Sequence, residues 1–245
     1  MAGDYRIPHQ SLSFLLLGPG SNVSHDALRL LARHGTGLSA IGEDGVRLYT
    51  AQPLMPDSST LARSQVRAWA DAAGARTSVA RRMYAWRLGE VLPHRDIAVL
   101  RGIEGARVKE MYRLSAERIG IRWNGRRYDR HDPLAADPPN QALNHAASAV
   151  EAAAAIAVAA TAAIPQLGII HEDSGQSFIL DIADLFRDAL TVPCAFKAAL
   201  AVQKRPSESI ERLTRRIVGE RRRREQVIPA MIDRIKALFA QEAAN

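Results

Sequence analysis

The run Leu143-Asn144-His145-Ala146-Ala147-Ser148-Ala149-Val150-Glu151-Ala152-Ala153-Ala154-Ala155-Ile156-Ala157-Val158-Ala159-Ala160-Thr161-Ala162-Ala163-Ile164 decides between a membrane-embedded chain and a packed helical one. It is long and apolar enough to invite a membrane reading. Most of it is alanine, however, and Asn144, His145, Glu151 and Thr161 interrupt it. It therefore reads as a buried or close-packed helix rather than a membrane span, ended by Ile164-Pro165.

Outward from this run, the chain from about residue 60 patterns as helix almost throughout. The spacing predicts helices over 60–74, 75–89, 94–119, 138–163, 176–189, 192–203, 207–222 and 225–243. Trp123-Asn124-Gly125-Arg126-Arg127-Tyr128-Asp129 breaks the series as a turn or short hairpin, and Leu167 to His171 is an apolar, strand-like crossing. The start of the chain patterns differently. Ser11 to Leu17 is a short apolar strand ended by Gly18-Pro19-Gly20, and Ser24 is an N-cap for a helix to about His34. Leu38 to Ile41 is a second strand, and Asp44-Gly45 turns into a third at Val46 to Tyr49. The expected class is α+β: a small N-terminal β-rich domain (1–52), a linker (53–59), and a larger all-helical domain (60–245).

Composition narrows the partners. The net charge is +7. Residues 60–101 carry eight Arg against three acids, and residues 203–226 carry nine Lys or Arg against four acids. Two localised basic regions suit a phosphate-backbone binder, and arginine forks onto phosphate oxygens better than lysine does. Abundant Arg with Ala also fits a GC-rich genome, which explains the choice of arginine better than its clustering. The single Cys194 excludes an intramolecular disulfide and a thiolate metal site, and reads as a small buried hydrophobe in an intracellular compartment. No secretory signal follows Met1.

Four residues carry the chemistry. Asp181 and Asp184 lie three apart in the apolar Ser177-Phe178-Ile179-Leu180-Asp181-Ile182-Ala183-Asp184-Leu185-Phe186, so a helix puts both carboxylates on one face. His171 lies ten residues upstream, and Glu104 sits in Leu100-Arg101-Gly102-Ile103-Glu104-Gly105-Ala106-Arg107-Val108. Brought together, one Glu, one His and two Asp suit Mg²⁺ or Mn²⁺, with the imidazole leaving room for Mn²⁺ in particular. The alternative is that both Asp are ordinary helix carboxylates paired with Arg187 or another base.

The segments Val23-Ser24-His25, Gly45-Val46-Arg47-Leu48-Tyr49, Leu100 to Val108, Trp123 to Asp129, and His171 followed by Ser177 to Asp184 come in a known order and spacing. In these the chain resembles the CRISPR-associated spacer-acquisition integrases, the Cas protein numbered one, and its subtype I-E branch in particular. The resemblance runs over roughly residues 5–240. It implies a helical catalytic domain and a metal-dependent DNA integrase and endonuclease, held in the prokaryotic cytoplasm. Such an enzyme joins 3′-hydroxyl ends of a captured double-stranded DNA fragment to the CRISPR repeat by transesterification. It implies a homodimer, assembly with the CRISPR-associated protein numbered two, and no membrane. Glu104, His171 and Asp184 match the family's metal ligands, and Asp181 matches an acidic residue that ligates or supports.

The DNA-contact candidates are Arg81, Arg82 and Arg87 in the first basic region, Arg107 beside Glu104, Arg126 and Arg127 in the Asn-Gly turn, and Arg221 and Arg222 among four consecutive arginines. Trp123 and Tyr128 either stack on a splayed base or pack the turn. His25 and His145 are expected to be structural. The chain departs from the family in two places. Family members carry some tens of residues ahead of the stretch matching Tyr5 to Pro8, so exposed sheet edges are expected here. Glu172 and Asp173 follow the metal histidine, where some relatives have a lysine, and are placed to raise its pKa or add outer ligands. The rival reading is a catalytically weak DNA-binding remnant of such an integrase.

Overall fold

The computed structural model describes residues 8, 11–52, 59–71, 74–127, 136–172 and 174–240. Tyr128, Asp173 and most of the expected linker lie outside the described residues.

The N-terminal part forms the three strands and the helix that its pattern predicts, the third strand running from Leu48 rather than Val46. Strand β1 (Phe14–Leu17) leads into helix α1 (His25–Arg33), whose Ser24 cap accepts a hydrogen bond from the Ala27 N–H at 3.1 Å. Strands β2 (Gly37–Ile41) and β3 (Leu48–Gln52) follow. β2 is central, parallel to β1 and antiparallel to β3, with a register shift between Ala40 and Ile41. The Asp44-Gly45 turn adopts positive φ at both residues (55° and 64°), which Asp and Gly tolerate best.

The helical domain is built around α5 (Pro138–Ala160), the alanine-rich run. Asp137 caps it by accepting from the Asn140 N–H at 3.0 Å, and two prolines occupy its first turn, where a missing N–H costs nothing. Ala142, Ala146, Ala149, Ala153 and Ala157 form a fully buried stripe at helical spacing. Such small side chains let α6 (Ser177–Asp184), α7 (Val192–Lys204), α8 (Ile210–Arg224) and α9 (Val227–Phe239) close around α5. The run is thus a core helix, as its polar interruptions implied. Helices α2 (Ser59–Ala70), α3 (Ala75–Leu88) and α4 (Ile97–Ile119) pack outside it, α4 opening on an Asp96 cap and ending at Gly120 with φ 78°.

Two stretches differ from expectation. The crossing Leu167 to His171 forms no strand. The expected helix 176–189 stops at Asp184; after Leu185 and Phe186 a π turn spans Arg187–Thr191 and runs into α7. Pro193 accounts for the π turn. It lacks an N–H and its ring crowds the carbonyl four residues back, so the ladder widens to bonds such as Thr191 N–H to Phe186 O at 3.2 Å.

Candidate active site

The loop from Ile164 to Glu172 is irregular, so its backbone polar groups need partners. Asp181, with a fully buried side chain, reaches back from α6 and supplies the acceptors. Its Oδ2 accepts from the Ile169 N–H and, at 3.1 Å, from the Ile170 N–H. Its Oδ1 accepts from the His171 N–H at 3.0 Å and lies 2.7 Å from His171 Nδ1. The loop carbonyls are met from the other side. Gln65 on α2 donates to Ile164 O (2.9 Å) and Leu167 O (2.6 Å), and its own oxygen accepts from the Ile164 N–H. Trp69 Nε1 donates to Gly168 O, Arg76 Nε to Ile169 O (3.0 Å), and Arg101 to Ile170 O (2.7 Å). Gly168 is needed sterically: a Cβ there would lie 2.2 Å from His171 O.

This clamp presents His171. With Nδ1 tied to Asp181, the ring is fixed and Nε2 is the nitrogen left to face outward, 38% of the side chain being exposed. The Asp181 hydrogen bond raises the His171 pKa, partly opposed by burial. Glu172, the next residue, pairs with Arg76. Asp181 therefore orients and supports, with both oxygens engaged.

Glu104, from α4, and Asp184, from the end of α6, come together across one guanidinium. Arg87 on α3 places Nη2 2.7 Å from Glu104 Oε1 and Nη1 3.3 Å from Asp184 Oδ2. Its side chain is 6% exposed, against 13% for Glu104 and 17% for Asp184. Neither Nε nor Nη2 of Arg87 has an aligned hydrogen-bond partner, so the Glu104 contact is ionic rather than a directed hydrogen bond. Arg187, carried by the π turn, takes the other Asp184 oxygen. The alternative pairing of Asp184 with Arg187 is thus present as well. Burial pushes the Glu104 carboxyl up, offset in part by Arg87 and Arg187. Burial also pushes up Glu151 on α5 and Asp188 on the π turn, both of which feel the Asp184 charge.

As donors, Glu104, Asp184 and the free nitrogen of His171 suit a hard divalent ion. The carboxylate behind His171 is the usual outer partner of a metal histidine. The two carboxylates already enclose a positive charge, that of Arg87. In this conformation no three His, Cys, Asp or Glu side chains group as a metal site among the described residues. The donor set fits a cation in type, and the Arg87 guanidinium lies between its two carboxylates.

The sequence profile described as "CRISPR associated protein Cas1" matches residues 85–227, a segment that contains Arg87, Glu104, His171, Asp181 and Asp184. The chain belongs to the CRISPR-associated Cas1 family. It is 34% identical to a CRISPR-associated endonuclease Cas1 of Clostridium sp. (strain SY8519), over 97% of this chain and 78% of that one. It is 36% identical to the Cas1 endonuclease of Escherichia coli (strain K12), over 94% and 76%. A solved TtCas1–DNA complex superposes with a TM-score of 0.87 at 35% identity, covering 95% of this chain and 86% of that one. These near-equal identities single out no branch of the Cas1 family.

Within this Cas1 fold, most of the arginines expected to meet DNA are engaged by protein. Arg81 donates to Leu92 O at 3.1 Å, and Arg82 binds the carbonyls of Ala237 and Leu238 near the end of α9. Arg87 lies between the carboxylates of Glu104 and Asp184. Arg107 pairs with Glu90 but stays 45% exposed. Arg126 bonds Asn140 (3.1 Å) and Asn144 (2.7 Å), closing the Asn-Gly turn onto α5, while the exposed Arg127 is held through its backbone N–H. Arg221 pairs with Glu225, and Arg222 is driven against Asp44 O and Gly45, pinning the β domain to α8. Trp123 stacks on Tyr112 at 5.3 Å and packs on Phe196, so it fixes the turn. His145 is half-buried on α5, and Cys194 is buried.

Gln65, Trp69, Arg76 and Asp188 escaped the sequence pattern. Gln65 and Trp69 do share a helical face, but nothing local marks the loop they serve.

Proposed function

We propose that this Cas1-family protein is a divalent-metal-dependent DNA endonuclease and integrase of CRISPR adaptation. It joins 3′-hydroxyl ends of short captured DNA to the CRISPR repeat by transesterification. The observation that carries this is the meeting of Glu104 and Asp184, from two helices, across Arg87, with the Asp184 charge felt by a histidine that a buried carboxylate orients. The names of the relatives, endonucleases and a DNA complex, support it.

Glu104, His171 and Asp184 would hold Mg²⁺ or Mn²⁺. When bound, the ion supplies activation of a 3′-hydroxyl or water oxygen and offsets charge on the transferring phosphate. The chain's own groups do the rest. Asp181 keeps His171 in one tautomer and orientation. The clamp from α2, α3 and α4 keeps the loop from yielding as charged DNA arrives. Arg187, half-buried beside Asp184, is placed to meet a phosphate oxygen. The reading includes a homodimer, the CRISPR-associated protein numbered two as partner, and the subtype I-E branch.

The test is joining of a short 3′-hydroxyl duplex to a repeat-bearing supercoiled plasmid with Mn²⁺ or Mg²⁺, with and without the partner protein. Glu104→Ala, His171→Ala and Asp184→Ala should each abolish joining while DNA affinity stays near wild type. Joining by all three variants would refute the site. No joining by the wild type, with DNA still bound, would favour the catalytically weak DNA-binding remnant.

A further inference from the structure

Two guanidiniums meet the Glu104–Asp184 pair. Arg87 and Arg187 bring two positive charges to two negative ones, and only Arg87 touches both carboxylates. Its two terminal nitrogens face different partners, and its side chain is almost wholly buried. A divalent ion between the same oxygens would meet this guanidinium at close range in a part-buried site, where like charges repel strongly. The guanidinium and the ion therefore draw on the same two carboxylate charges.

We propose that Arg87 is the resident counter-ion of the metal-free site: it holds Glu104 and Asp184 in place and competes directly with the divalent cation. Metal affinity is then the difference between two cations for one carboxylate pair. Without the ion the guanidinium keeps the pair ordered, and a bound ion releases it for an incoming anion. By linkage, an anion that takes the guanidinium tightens the metal. This rests on the metal reading above.

The experiment measures Mn²⁺ alone, by the electron paramagnetic resonance of the free ion, against the full chain stripped of metal. Wild type is compared with Arg87→Met, which keeps length and loses charge, and with Arg107→Met as a control. Arg87→Met should bind Mn²⁺ about tenfold tighter or more, the scale of one removed competing charge. Its metal-free thermal midpoint should fall below that of the wild type and recover with Mn²⁺. Arg107→Met should bind as the wild type does. Unchanged or weaker binding by Arg87→Met, with Mn²⁺ bound by the wild type, overturns the counter-ion role and leaves the metal site standing. No Mn²⁺ bound by any form overturns both. If Arg87→Met does not fold, Arg87→Lys reaches only one carboxylate and is measured in the same way, with tighter binding again the expected result and unchanged binding the refuting one.

Discussion

Replacing Asp181 with Ala should cost more than any other single change near the site, and chiefly in folding. The side chain is fully buried and accepts from three backbone N–H groups and from His171. Hydrogen bonds to a charged acceptor are worth roughly 1.5–3 kcal/mol each, and a buried donor left unpaired costs about 1–3 kcal/mol. These donors share one acceptor group and do not add independently. Ile169 is fully buried, whereas Ile170 and His171 have some access to water. A net loss of about 3–5 kcal/mol follows, a large part of the 5–15 kcal/mol typical of a domain. Urea unfolding of the metal-free protein at fixed pH reads it as a shift in midpoint. Asp181→Asn, which keeps shape but turns one acceptor into a donor, should fall between the two. A loss below about 1 kcal/mol for Asp181→Ala would refute the reasoning, because the loop would then not depend on this carboxylate.

Other perturbations separate the parts of the fold. Gly168→Ala should destabilise by about 1–3 kcal/mol or more, since its Cβ meets backbone at 2.2 Å, whereas Gly102→Ala in open space on α4 should stabilise by up to about 1 kcal/mol; thermal unfolding of the pair reads both. Arg222→Ala should leave the helical domain folded but expose the β domain to limited proteolysis, because it removes the guanidinium seated on the Asp44–Gly45 turn. Burial lowers the His145 pKa, so the unfolded chain binds more protons. Its contribution is therefore intact above about pH 6.5, the unfolded value, and is lost as pH falls from there through the lower folded pKa. His145→Gln should flatten that acid-side loss in a pH series of unfolding midpoints. DNA affinity should fall steeply with salt as phosphate contacts release counterions, and a flat response would count against the basic regions.

The linear pattern alone determined the helical class, the alanine core helix and the three strands with their capped helix, while Glu104, His171, Asp181 and Asp184 were candidates singled out through the family resemblance. These rest on local rules: periodicity, caps, turn residues and short motifs act over a few neighbours, so a linear pattern carries them. Only the tertiary structure decided what the charges do. Asp181 and Asp184 share a helix, yet one turns to loop amides and the other to arginines 97 residues upstream and three downstream. Arg87, Arg126 and Arg222 carry the same charge and patterned alike, but burial and distant partners assign them to a carboxylate pair, a turn and a domain seam. A charge's role depends on which opposite charge or carbonyl is within about 3 Å and how little water screens it. That is fixed by contacts between residues far apart in the chain, and no local spacing records it.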